Sequence, residues 1–194
     1  MKNILKICAL SGFMAMVSFA AHADSFMDDL KAAVASGNME KVDVLAAKNP
    51  KQQGEIAAYL LQQASADSSS DADKAAKLFK EAKSYVAQMD KEQAQQAVTE
   101  ITSMLTLASS STFETAHPDA AGDILAAAVF MTNQPSIATL APGLNATALG
   151  DAKAYADNAP AGVKAELDDA VSLAQSQGSA PNAHHNNQHI PTGH

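Results

Sequence analysis

Four histidines near the C-terminal end are the side chains best suited to chemistry. They are His184, His185, His189 and His194, four of the chain's six. Neutral imidazole is a ligand for Zn, Cu and Ni. His185 and His189 stand four residues apart, the spacing that shares one face of a helix. Pro181, Pro191 and the run Asn186-Asn187-Gln188 oppose a regular element, so residues 179–194 are predicted to form a disordered His- and Asn-rich tail. Ordering such a segment costs about 1–2 kcal/mol of backbone entropy per residue. The metal reading is therefore one of loose, reversible binding or buffering. The same imidazoles gain charge below about pH 6.5, which would offset an acidic body.

Other candidates are less complete. His117 precedes Pro118 at a helix start, with no nucleophile or acid at recognisable spacing, so capping or exposure is the expectation. The acids of Asp67-Ser68-Ser69-Ser70-Asp71-Ala72-Asp73 resemble the start of a calcium loop. The central Gly and the closing Glu of that loop are missing, and Leu78 stands at the closing position. Asp168 and Asp169 are neighbours on one helix and point about 100° apart, so they do not converge as an acid–base pair. Asn145-Ala146-Thr147 has the pattern of a glycosylation sequon. No Ser-His-Asp or Cys-His set, Gly-rich phosphate loop or zinc spacing occurs, and no catalytic residue or tightly held cofactor is assigned. The expectation is a protein that is not an enzyme.

Charge narrows the partners. Thirteen basic residues face 21 acids, a formal −8, and every basic one is Lys. Arg is the residue that clamps phosphate with two parallel hydrogen bonds. Its absence from a net acidic chain argues against nucleic acid and anionic membrane surfaces.

The N-terminal segment predicts export. Lys2 and Lys6 precede an apolar stretch from Ile7 to Ala20, broken only by Ser11, Gly12 and Ser18. Ala21 and Ala23 then provide small residues around a cut after Ala23, the order of a cleavable signal peptide over 1–23. A cut after Ala20 is the alternative. The stretch is shorter than the ~20 apolar residues that span a bilayer, and no second such run follows. The only cysteine, Cys8, would leave with the leader, so no disulfide is needed outside the cytoplasm. The location read from this is periplasmic or secreted.

What remains, 24–178, reads as one all-α domain. Hydrophobic residues make up 47% of the chain but aromatics only 5%, and Trp is absent. The apolar mass is largely Ala, a strong helix former that lets helices approach closely. Phe26, Leu30 and Val34 recur at helical spacing, and Gly37-Asn38 ends that helix and caps the next, with Met39, Val42 and Leu45 on its face. Asn49-Pro50 reads as an N-cap with Pro at the first position, ahead of Ile56, Ala57, Leu60, Leu61 and Ala64. A polar linker is expected over 65–73. Beyond it Ala75, Leu78, Phe79, Ala82, Tyr85, Val86 and Met89 form the clearest stripe, separated by Lys74, Lys77, Lys80, Glu81 and Lys83. Asp90 and Gln93 resemble a capping box, opening a helix with Ala94, Ala97, Val98, Ile101, Leu105 and Ala108 on its face. The short connection predicts a central antiparallel hairpin of these two helices.

A second linker is expected from Ser109 to Thr115. His117-Pro118 then opens a helix through Ile124, Ala128 and Met131. Residues 135–143 read as irregular or as a single helical turn, and 144–156 as a short helix interrupted near Gly150-Asp151. Pro160 precedes a last helix carrying Val163, Leu167, Ala170, Val171 and Ala174. The architecture expected is a small Ala-rich bundle of about six to seven helices with a flexible C-terminal tail. Pro50 to Ile56 and Pro118 to Ile124 echo one another, each with Gly, an acid and Ile in the same order. Asp73–Ala82 resembles the second helix of a tetratricopeptide repeat, and Ser36–Val42 is similar to part of an ankyrin repeat. Neither recurs at the ~34-residue period of such arrays.

The function expected is an exported soluble protein acting by interaction with an envelope or extracellular protein, or with itself. Its surface would include the stripe from Leu78 to Met89, where that stripe stays open to a partner helix. The alternative is metal binding through His184, His185, His189 and His194.

Overall fold

A computed structural model describes residues 23–178, and all regular structure among them is helical. The ten α-helices are α1 Ala23–Ala35, α2 Met39–Lys48, α3 Gln53–Asp67, α4 Ala72–Ala82, α5 Lys91–Ala108, α6 Ser111–Ala116, α7 Pro118–Thr132, α8 Pro135–Leu140, α9 Leu144–Ala156 and α10 Ala161–Gly178. Single 3₁₀ turns at Pro50–Gln52 and Val86–Gln88 precede α3 and α5. The signal-peptide and His-tail expectations lie outside the described residues. No described helix is long and apolar enough to cross a membrane.

Local chemistry sets the helix ends. Gly37 takes a positive φ of 67°, which Gly adopts without a Cβ penalty. The backbone N–H groups of Asn38 and Gly37 donate to the carbonyls of Ala33 and Val34, closing α1 with a Schellman motif. Asn38 then accepts from the N–H of Lys41 at 2.9 Å and starts α2. Asp90 accepts from the N–H of Gln93 at 2.8 Å while Gln93 Oε1 accepts from the N–H of Asp90 at 3.0 Å. That reciprocal pair is the expected capping box. Asn49 behaves differently from its expected role. Its side chain caps no N-terminus but donates to the carbonyl of Leu45 at 2.9 Å, closing α2.

The centre of the molecule is α7. Eleven of its residues are buried, from Ala120 through Thr132, on every side of the helix, as a helix enclosed by others requires. α4, α5, α6, α8, α9 and α10 pack around it. Small side chains permit the approach. A Cβ on Gly122 would run into the Val163 side chain of α10. Thr132, buried near the end of α7, donates to the Ala128 carbonyl at 2.8 Å and accepts from Asn145 of α9 at 3.2 Å.

The hairpin lies elsewhere than expected. α4 ends at Ala82, and a turn plus the 3₁₀ segment occupy the residues before Asp90. Val86 and Met89 are buried there, and the 3₁₀ turn packs on α3. This detour leads α5 to α3, α7 and α8 and leaves it at most marginal contact with α4. α4 pairs with α3 instead. Lys74 at the head of α4 meets Asp67 at the foot of α3, 2.8 Å apart. Gly54 at the head of α3 abuts Gln88 and Met89, past the foot of α4. The two helices therefore run antiparallel.

The count of ten among the described residues exceeds six to seven, and two of the additional helices, α6 and α8, are short and form in segments read as a linker and as an irregular stretch or single turn. Ser110 accepts from the N–H of Phe113, which buries its ring and anchors α6. Pro135 opens α8, which Ile137 anchors in the core. The first linker also shrinks to 68–71, because α3 runs to Asp67 and Asp71 caps α4. α9 is continuous through Gly150, which faces open space.

Candidate functional site

The expected stripe from Leu78 to Met89, on α4 and the turn that follows it, is core. Leu78, Phe79, Tyr85, Val86 and Met89 are at most 8% exposed, so they offer no face to a partner helix. The four lysines between them divide. Lys74 pairs with Asp67, Lys77 is exposed, and Lys80 and Lys83 belong to a surface feature that the sequence pattern did not show.

That feature is a groove of about 220 Å³ where α7 and α10 meet beside the end of α4. Buried Ala126 and Ala174, with half-buried Phe130 and Ala170, give it an apolar lining. These side chains converge because α7 and α10 pack closely through small residues, leaving an open groove that Phe130 helps to line. Leu173 stands at the edge and is 49% exposed, one of the two most exposed large hydrophobic residues described. Glu166 and Asp169 of α10 bring carboxylates to the mouth, and Lys83 sits across from them with Nζ 5.8 Å from the centre of the Phe130 ring. That distance is within cation–π range.

An ionic node fixes one end of the groove. Lys80 Nζ donates to Asp123 Oδ1 at 2.7 Å and lies 2.6 Å from Glu166 Oε1. One ammonium thus joins α4, α7 and α10. Partial burial opposes its charge, but hydrogen bonds to the two carboxylates prevail and raise its pKa above the ordinary lysine value. Glu166 is committed to this node, whereas Asp169 is exposed at the mouth.

The remaining sequence candidates stay apart. His117 sits between α6 and α7 with its ring 5.2 Å from that of Phe113, tilted by 47°. Asp67 pairs with Lys74 and Asp71 caps α4, so the calcium-like run serves the helix junction. Asp168 pairs with Lys164 one turn away. The Asn145 amide points inward to Thr132 Oγ1 and the Val129 carbonyl. Modification of this sequon would first have to break those bonds. Among the described residues no group of three or more His, Cys, Asp or Glu could hold a metal ion. His184, His185, His189 and His194 lie outside the described residues.

The groove draws on residues from 83 to 174, too far apart in the chain for a local pattern to mark it. Compared with known protein families, with curated proteins and with solved structures, the chain matches none.

Proposed function

We propose that the chain is an exported binding protein and that the α7–α10 groove is its contact surface for another protein of the envelope or cell exterior. The observation carrying this reading is the apolar groove lined in part by Phe130 with Leu173 exposed at its edge. A groove of this kind takes an apolar side chain, and carboxylates at its mouth favour a cation beside it. The partner segment is thus an apolar anchor flanked by Lys or Arg, and no catalysis is assigned. Export rests on Lys2, Lys6 and the apolar stretch to Ala20.

A photoreactive residue placed at position 173 in cells making the full chain tests the reading, with exposed Lys77 as the control position. A defined adduct at 173, absent at 77 and several-fold weaker with Asp169→Lys, is the expected result. An adduct of the chain with itself would identify self-association as the form of the interaction. Equal background at both positions would refute the reading.

A second reading rests on His184, His185, His189 and His194, clustered at one end of the chain. It assigns loose Zn, Cu or Ni buffering to them. Calorimetric titration of the full chain with Zn should then show micromolar or weaker binding that disappears when all four become Ala. Heats unchanged by that substitution would exclude it.

A further inference from the structure

α1 and α2 form a hairpin held to the rest of the molecule at few places. They pack chiefly on one another, and α2 also reaches α3 and the 3₁₀ turn after it. Polar bonds cross this junction at two elements. Gln53 Nε2 of α3 donates to the Ala46 carbonyl at 3.4 Å. Past the end of α4, the Tyr85 hydroxyl donates to Asp43 Oδ1 at 2.5 Å. The same hydroxyl lies 3.2 Å from Glu81 Oε1.

A phenol has one proton to donate, and here two carboxylates from different helices meet at it. Asp43 is exposed on α2, Glu81 is half-buried on α4, and Tyr85 is 6% exposed between them. We infer that Asp43, Glu81 and Tyr85 form a proton-operated latch on the α1–α2 hairpin. With a proton shared between the carboxylates, the three groups bond to one another and hold α2 against α4. When that proton leaves, two anions face each other across one hydroxyl, and the hairpin loosens. The residues it would uncover include Phe26, Leu30, Val42 and Leu45, all buried in the closed form.

The surrounding charges agree with this assignment. Partial burial first, then the Asp43 carboxylate, raise the pKa of Glu81 above the ordinary carboxylate value; the hydrogen bond from Tyr85 and, to a smaller extent, Lys83 offset part of the rise. On the hairpin itself Lys41 of α2 pairs with Asp29 of α1 at 3.6 Å, and Lys77, exposed on α4, stands one turn before Glu81. Lys80 of α4 and Asp123 of α7 bind each other. On α3, Glu55 senses Asp90, and Tyr59 senses Lys74 and Asp67. A carboxyl whose pKa is raised by folding stabilises the closed form fully below its unfolded pKa, and loses that contribution as pH rises through the folded value. The latch thus closes below the ordinary carboxylate value and opens as pH rises through the raised value of Glu81.

Hydrogen exchange on the full chain tests this, since local opening is read from amide protection. Protection of the amides in α1 and α2 is measured at pH 4 and pH 8, corrected for intrinsic exchange and divided by that of α7. The ratio should fall as pH rises, up to about tenfold for each unit by which folding raises the carboxyl's pKa. Glu81→Gln, which cannot ionise, should remove most of that fall, and Asp43→Asn should do the same if Glu81→Gln fails to fold. A ratio that is equal at both pH values, or that falls equally in the wild type and the folded variant, would overturn the latch.

Discussion

At the residue scale, two glycines show what close packing demands. Gly54 and Gly122 occupy the same place in the echoing segments Pro50–Ile56 and Pro118–Ile124, and each lies where another element crosses closely. A Cβ on Gly54 would meet the Gln88 carbonyl oxygen and Met89 Cα, which are backbone and cannot turn aside. A Cβ on Gly122 would meet the side chain of Val163. Overpacking costs about 1–3 kcal/mol, and the helix propensity gained over Gly returns about 1 kcal/mol. Gly54→Ala should therefore lower urea stability, and Gly122→Ala should be repaired in part by Val163→Ala. Equal stability of Gly54→Ala and wild type would contradict the packing. Tyrosine offers a second test. The pKa values of Tyr59, Tyr85 and Tyr155, the chain's three tyrosines, are raised above the ordinary phenol value, chiefly by burial. In the folded chain less than half of the phenolate absorbance should have developed at pH 10, and stability should fall as pH rises beyond the ordinary phenol value, because the unfolded chain ionises more readily there. A tyrosine titrating at its ordinary value in the folded state would contradict their burial.

At the scale of elements, helices with a strong stripe or a side-chain cap were legible in the sequence. The stripe as far as Ala82, the Asp90–Gln93 box and the Gly37-Asn38 junction form where the spacing places them, whereas Tyr85 to Met89 leave the helix. Replacing Asp90 by Ala should cost about 1 kcal/mol, the usual value of such a cap, as read from thermal or urea unfolding. No loss at all would mean that packing alone holds the start of α5. What the sequence did not disclose depends on partners distant in the chain. α6 and α8 are each six residues long, too short for a periodic pattern, and each hangs on one buried side chain, Phe113 or Ile137. The choice between α3 and α5 as the mate of α4 turned on where Val86 and Met89 bury. A stripe shows that residues are apolar and does not show which neighbour covers them.

At the scale of the whole molecule, α7 is the element on which the others assemble. Its Ala residues leave no space for growth, so Ala128→Leu at a fully buried site should cost about 1–3 kcal/mol. The groove is a product of this assembly. Lys83 comes from the end of α4, Phe130 from α7, and Asp169 and Leu173 from α10. No local pattern links those residues, which is why Lys83 stood out from the sequence only as one lysine among four and Asp169 only as the neighbour of Asp168. The His cluster was conspicuous for the opposite reason, because its members are neighbours in the chain.

The most direct test of the groove as the contact surface is a photocrosslinking map of the full chain in cells. A photoreactive residue is placed in turn at the groove positions Lys83, Asp169 and Leu173 and at exposed Val44 on α2, Lys77 on α4 and Lys153 on α9. Adducts concentrated at Lys83, Asp169 and Leu173, with little at the other three, are the expected result. Adducts concentrated at Val44 on α2, or spread evenly over all six positions, would contradict the assignment of the α7–α10 groove.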